Sequence, residues 1–194
     1  MFLASTRTIG EPVVITGIGM ITSVGRSAAE TWGAVCLGAS GVRSIRGLPD
    51  IPDDLLIGAP VDIEIPVTGQ LKVIALARTA AQEAIADAGI KLDEIDRDRF
   101  ACAISGHMGD TDEIAKIIGF NRKSPDDVPS WHQWMPNTAC ATLATDYGLC
   151  GPRSCHSTAC ASGLIDILSA VRCIRDGQCD YALAGSAEAI NPLF

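Results

Sequence analysis

Short apolar runs alternate along this chain with longer stretches of helical period, and glycine or proline separates them. That alternation limits the folds open to it more than any other feature. Val13-Val14-Ile15, running into Gly17-Ile18-Gly19, reads as a buried first strand over Pro12 to Ile18. Ser27 with Glu30 three residues on is a capping box, opening a helix that reaches about Leu37 and stops at Gly38. Ala39 to Gly69 is rich in Gly, Pro and Asp and reads as mostly loop with short extended pieces. Gln70 to Ala88 is the clearest helix, because Val73, Ala77, Ala80, Ala84 and Ala88 recur at three- and four-residue spacing before Gly89 ends it. Phe100 to Ser105 reads as a strand, Asp110 or Thr111 to Gly119 as a helix, and Asn121 to Trp134 as a loop. Pro136 suits the first turn of a helix ending near Tyr147. A strand at Ser154 to Ser157, a helix from Cys160 to about Asp176 and a strand at Tyr181 to Gly185 follow, and Ala187 to Ile190 begins one more. The order implies an α/β fold, a mainly parallel sheet flanked by helices on both faces.

Composition narrows the function classes. The 194 residues are enough for one sizeable core or two small ones, and 47% of them are hydrophobic. The net charge of −8, with no basic run to offset it, argues against nucleic acid or an anionic membrane as partner. Met1 to Pro12 lacks the apolar core and cleavage pattern of a secretory signal, and no apolar run reaches the roughly 18 residues of a membrane span. A soluble, reducing, cytoplasmic setting is therefore expected, with most of the eight cysteines acting as small buried hydrophobes. There is no C-x-x-C, and Cys155-His156 are adjacent rather than at ligand spacing, so a metal is not expected; no cofactor is expected either.

One cysteine stands apart. Cys160 lies in Ser157-Thr158-Ala159-Cys160-Ala161-Ser162-Gly163, where the strand at Ser154 turns into a helix. The start of a helix carries roughly half a positive elementary charge, and a thiol there can fall below its free pKa of about 8.5. Leu164, Ile165, Ile167, Leu168, Ala170, Val171 and Ile174 leave almost no polar face before Arg172, so this helix is expected to be buried all round. Burial alone raises a thiol's pKa, and the residues by themselves leave the balance open.

The same residues carry a family resemblance. Val13 to Gly25, Tyr147-Gly148-Leu149-Cys150-Gly151-Pro152, Ser157 to Gly163 and Ala184-Gly185-Ser186-Ala187-Glu188-Ala189 resemble, in order, the opening strand and turn, the segment before the nucleophile, the active-site motif and the following strand pair of the β-ketoacyl-[acyl-carrier-protein] synthases. The resemblance implies the N-terminal half of a thiolase-like layered fold, with residues 1–194 as a single N-terminal domain and the C-terminal half absent. It implies a decarboxylating Claisen condensation in fatty-acid or polyketide synthesis. A cysteine takes an acyl group from acyl carrier protein, and the carbanion from a malonyl thioester attacks the acyl-enzyme. Carried over by motif, Cys160 is the nucleophile, and its backbone N–H is one of two oxyanion donors. The family's second donor, two catalytic histidines and a lysine belong to the other half. The resemblance further implies a homodimer or hetero-association through the strand at about residues 154–157.

The three histidines, His107, His132 and His156, fall outside the family's catalytic motifs, and His156 is expected to be packed or hydrogen-bonded. Ile104-Ser105-Gly106-His107-Met108-Gly109 stands where the family has a glycine-rich run bordering the acyl-chain pocket. His107 and Met108 there either narrow the pocket, favouring a polar acyl group such as a polyketide, or belong to a surface loop that tolerates both. Two other readings of the chain stay open: a non-catalytic scaffold with the same fold, and thiolase-type acyl transfer.

Overall fold

A computed structural model of the chain describes residues 12–46, 52–53, 56–63, 71–106 and 135–189. Four helices are found there: α1 (Ala28–Cys36), α2 (Lys72–Asp87), α3 (Thr138–Asp146) and α4 (Ser162–Arg175). The strands are β1 (Arg43–Ser44), β2 (Ile57–Gly58), β3 (Phe100–Gly106), β4 (Arg153–Ser154) and β5 (Tyr181–Ala187). The helix expected near 110–119 and the loop to Trp134 lie outside the described residues.

β3 is the central strand. It pairs in parallel with β4 on one side and β5 on the other, giving the order β4-β3-β5, while β1 and β2 form a small antiparallel pair. All seven residues of β3 are buried. Phe100, Cys102 and Ile104 join the main apolar core with Val73, Ile74 and Leu76 of α2 and Ala139, Cys140 and Leu143 of α3. Ser105, on the opposite face, meets Asp166 of α4. The two faces of the sheet are thus covered by different helices, as the strand–helix alternation requires. Burial of an aromatic such as Phe100 contributes about 1.5–3 kcal/mol. Two bidentate ion pairs clamp the edges of the assembly: Arg78 of α2 to Asp146 of α3 at 2.6 and 3.0 Å, and Arg99 to Asp180 at 2.5 and 3.0 Å, joining the starts of β3 and β5.

Local signals in the sequence are realised where they are self-contained. Ser27 caps α1 by accepting from the Glu30 N–H at 3.1 Å, and the Glu30 carboxylate reaches back to the N–H of Arg26 at 2.8 Å. Gly89 ends α2 at φ +63°, a left-handed conformation that glycine adopts without steric cost.

The departures are tertiary in origin. Pro12 to Ile18 forms no strand, and Val14 and Ile15 are 68% and 78% exposed. No described strand lies beside this segment. It runs along α2 instead, where the N–H groups of Ile18 and Met20 are taken by the carboxylates of Asp87 and Glu83 at 2.9 and 2.8 Å. The approach needs glycine: a Cβ on Gly19 would fall 1.8 Å from the Ala80 carbonyl oxygen. The strand expected over Ser154 to Ser157 ends at Ser154, because the N–H and C=O of His156 are bonded to the Ser105 side chain rather than to a neighbouring strand. Pro136 precedes α3 by two residues, and its carbonyl accepts from Gly106 and from the Cys155 thiol. Ala187 closes β5 instead of opening another strand, and Ile190 lies outside the described residues. α4 is not buried all round. Its buried positions are Ser162, Asp166 and Ala170, one stripe at four-residue spacing, while Leu164 is 73% exposed and Ile167 and Leu168 are about two-fifths exposed.

Two outcomes are expected. Gly19→Ala should lower stability by about 1–3 kcal/mol through overpacking, whereas Gly33→Ala, on α1 with nothing within 4 Å of the added carbon, should raise it by up to about 1 kcal/mol. Urea denaturation checks both, and equal midpoints for the three proteins would contradict them. The exposed apolar faces of the 12–21 segment and of α4 should make the isolated chain self-associate; a stable monomer in sedimentation velocity runs would be the contrary result.

Candidate active site

Cys160 is exposed. It lies in the one-turn 3-10 helix Ala159–Ala161, which runs directly into α4 at Ser162, two residues later than the helix start read from the sequence. Its neighbour Ala159 has φ +49°, the one non-glycine residue with positive φ among those described. Such a conformation costs an L-residue about 1–2 kcal/mol. The turn has its own bonds: the Thr158 N–H donates to the Ser162 hydroxyl at 2.9 Å and the Ala161 N–H to the Thr158 carbonyl at 3.2 Å. The turn leads into the amino end of α4, whose aligned peptide dipoles favour negative charge there, while the Ser162 N–H is itself bonded to the Ala159 carbonyl.

The other seven cysteines are placed differently. Cys102, Cys140 and Cys179 are buried. Cys102 and Cys140 bond each other's carbonyls across β3 and α3. The hydrogen bond with Cys140, with burial, pushes the Cys102 thiol far up, while that same contact holds Cys140 down at about 7 in a site 2% exposed. Burial pushes Cys179 up to about 11 and raises Cys155. Of the exposed ones, Cys36 is the last residue of α1, at the negative end of a helix, and Cys150 sits in the turn after α3, its thiol directed at the Gly148 carbonyl. Cys173, half-buried, is on the last turns of α4. Cys160 alone combines exposure with a helix start.

His156 is hydrogen-bonded, as expected. Its Nδ1 bonds Asp166 Oδ1 at 2.6 Å and its Nε2 lies 3.3 Å from Ser169 Oγ. Asp166 is fully buried, and its second oxygen bonds Ser105 Oγ. The sequence reading passed over Asp166 and Ser169. Their signal was visible: two polar residues three apart in an otherwise apolar helix define a face, and that face is the one turned inward. His107 and Met108, proposed to border an acyl pocket, and His132 lie outside the described residues. Among the described residues no group of three or more His, Cys, Asp or Glu is placed to hold a metal, and no helix is long and apolar enough to cross a membrane. A solvent-open hollow lined by Ile21, Arg26, Val61, Asp62, Ile63, Lys72 and Thr79 contains no cysteine and is not part of the Cys160 turn.

This arrangement predicts selective chemistry. Iodoacetamide should alkylate Cys160 faster than Cys36 and Cys150, as followed by peptide mass spectrometry. Equal rates at the three exposed thiols would show that the helix start confers nothing.

A family model for "Beta-ketoacyl synthase, N-terminal domain" matches residues 71–193. The 3-oxoacyl-[acyl-carrier-protein] synthase 2 of Coxiella burnetii is 30% identical over 196 residues, covering 93% of this chain and 47% of that protein. The tetracenomycin polyketide synthase ketoacyl synthase alpha subunit of Streptomyces glaucescens is 28% identical, covering 97% of this chain and 48% of that one. A crystal structure of a β-ketoacyl synthase from Burkholderia phymatum superposes with a TM-score of 0.73 at 29% identity, over 93% of this chain and 47% of the other. The chain spans about half the length of these relatives. With its parallel sheet flanked by helices, matching the thiolase-like fold of the ketosynthases, and with the family's N-terminal domain recognised over more than half its length, the chain belongs to the β-ketoacyl synthase family.

Proposed function

We propose that this chain is the nucleophile-bearing half of a ketosynthase that extends acyl chains in fatty-acid or polyketide synthesis. The observation that carries the reading is the exposed Cys160 on the turn ahead of α4, inside the segment the family model covers. In the first step the Cys160 sulfur attacks the carbonyl carbon of an acyl thioester borne by acyl carrier protein. The tetrahedral oxyanion is stabilised by the amide N–H of Cys160, with the second donor coming from the family's other half. Its collapse breaks the bond to the carrier sulfur, which leaves as a thiolate and takes up the proton that Cys160 gave. In the second step a malonyl thioester loses carbon dioxide, and the enolate attacks the acyl-enzyme carbonyl. The new carbon–carbon bond forms as the Cys160 thiolate departs, leaving a 3-oxoacyl thioester. Dividing the reaction through a thioester is what a cysteine nucleophile provides.

The decarboxylation step calls for groups that the family supplies from its second half, so this chain by itself should acylate without condensing. β4 has one strand neighbour among the described residues, which leaves its outer edge available for the association expected at 154–157. His107 and Met108 are retained as candidates for shaping the acyl site.

Incubation with an acyl-pantetheine thioester tests the first step. Intact mass should rise by one acyl group, mapped to Cys160 and absent from Cys160→Ala. Acylation at no residue, with the fold intact, would favour a non-catalytic scaffold. Release of carbon dioxide and 3-oxoacyl product from malonyl thioester by the pure chain would overturn the division of labour between halves.

A further inference from the structure

A turn that carries an L-residue at φ +49° must be held there by its surroundings. Downstream the hold is α4 itself. Upstream it is a set of side-chain bonds around His156, the fourth residue before Cys160. Ser105 of β3 grips the backbone of His156: its hydroxyl accepts from the His156 N–H at 3.0 Å and lies 2.7 Å from the His156 carbonyl oxygen. Asp166 of α4 grips the His156 side chain through Nδ1 at 2.6 Å and bonds Ser105 with its other oxygen. Ser169, one turn further along α4, closes on Nε2. The central strand, 51 residues away in sequence, therefore meets at His156 the strand-to-helix connection and the helix that follows it. Ser105 and Asp166 are 1% and 0% exposed, while the His156 side chain is one-third exposed, so the Ser105–Asp166 end of the group is the one sealed from water.

We infer that Ser105, His156 and Asp166 form a positioning unit that keeps Ala159 in its strained conformation and thereby sets the Cys160 sulfur at the amino end of α4. The inference rests on the reading of Cys160 as the nucleophile. Burial of a carboxyl in an α/β core is costly unless it is fully bonded, and here every bond it makes ties down the segment leading to Cys160. The unit acts through the backbone of residues 157–159, not on the reacting atoms.

The test uses Ser105→Ala, which removes the backbone grip with little change in volume, and His156→Ala as a second variant. Each is examined alone and combined with Ala159→Gly, because glycine adopts positive φ without the Cβ penalty. Alkylation of Cys160 by iodoacetamide, relative to Cys36 in the same molecule, should slow by about two- to fivefold in the single variants, the range that a helix end's stabilisation of charge represents. Ala159→Gly should recover most of that loss, a rescue that general destabilisation would not show. Amide exchange of residues 157–161 is read on the same samples and should rise in the single variants. Wild-type alkylation and exchange in Ser105→Ala, or failure of Ala159→Gly to restore either, overturns the positioning unit. Should wild-type Cys160 react no faster than Cys36 while exchange still rises in the variants, the positioning stands and the nucleophile reading falls.

Discussion

Burial of β3 along its whole length is the constraint from which the rest of the architecture follows. A seven-residue strand with both faces covered must satisfy its amides on both edges and its side chains on both sides. Its edges are met by β4 and β5 in parallel register. Its faces are met by α2 and α3 on one side and α4 on the other. Parallel neighbours demand crossover connections, and those crossovers are the segments holding α3 and α4. The strand-to-helix connection after β4 thus emerges at the carboxyl end of the sheet, beside Ser105 and Gly106, and that is where Cys160 is found.

The side of β3 that faces α4 is polar at one level only. Ser105, Asp166 and His156 make a closed group there, while the opposite side holds the paired thiols of Cys102 and Cys140 in an apolar setting. Leaving a buried carboxyl or hydroxyl unbonded costs about 1–3 kcal/mol each. The group is therefore stable only if all its members keep their places, which makes it a poor place for looseness and a good one for anchoring a strained turn. Cys160 is exposed, whereas Ser105 and Asp166 close by in the fold are buried.

The apolar residues left uncovered on α4 and on the 12–21 segment have the opposite character. They are too many and too contiguous to be incidental surface, and they belong to elements whose other sides are well packed. Faces of this kind favour association with another apolar surface. Helix α4, which looks fully apolar in sequence, turns its Leu164 and Ile167 outward in this way.

What the amino-acid order settled unaided was local. Capping at Ser27, the stop at Gly89 and the long α2 each depend on residues within a turn or two of one another, and the strand–helix alternation is a succession of such local patterns. The Cys160 motif was equally legible, because a small-residue turn before a helix is a contiguous pattern. Only the folded chain decided which side of α4 is inward, that His156 is held by Asp166 and Ser105, and that Val14 and Ile15 have no strand beside them among the described residues. These outcomes depend on partners far away in sequence, Ser105 being 61 residues from Asp166. Periodicity says that a helix has an apolar face; it cannot say whether the molecule at hand contains the surface that would cover it, and where a buried carboxyl finds its bonds inward, the apolar face is the one left to solvent.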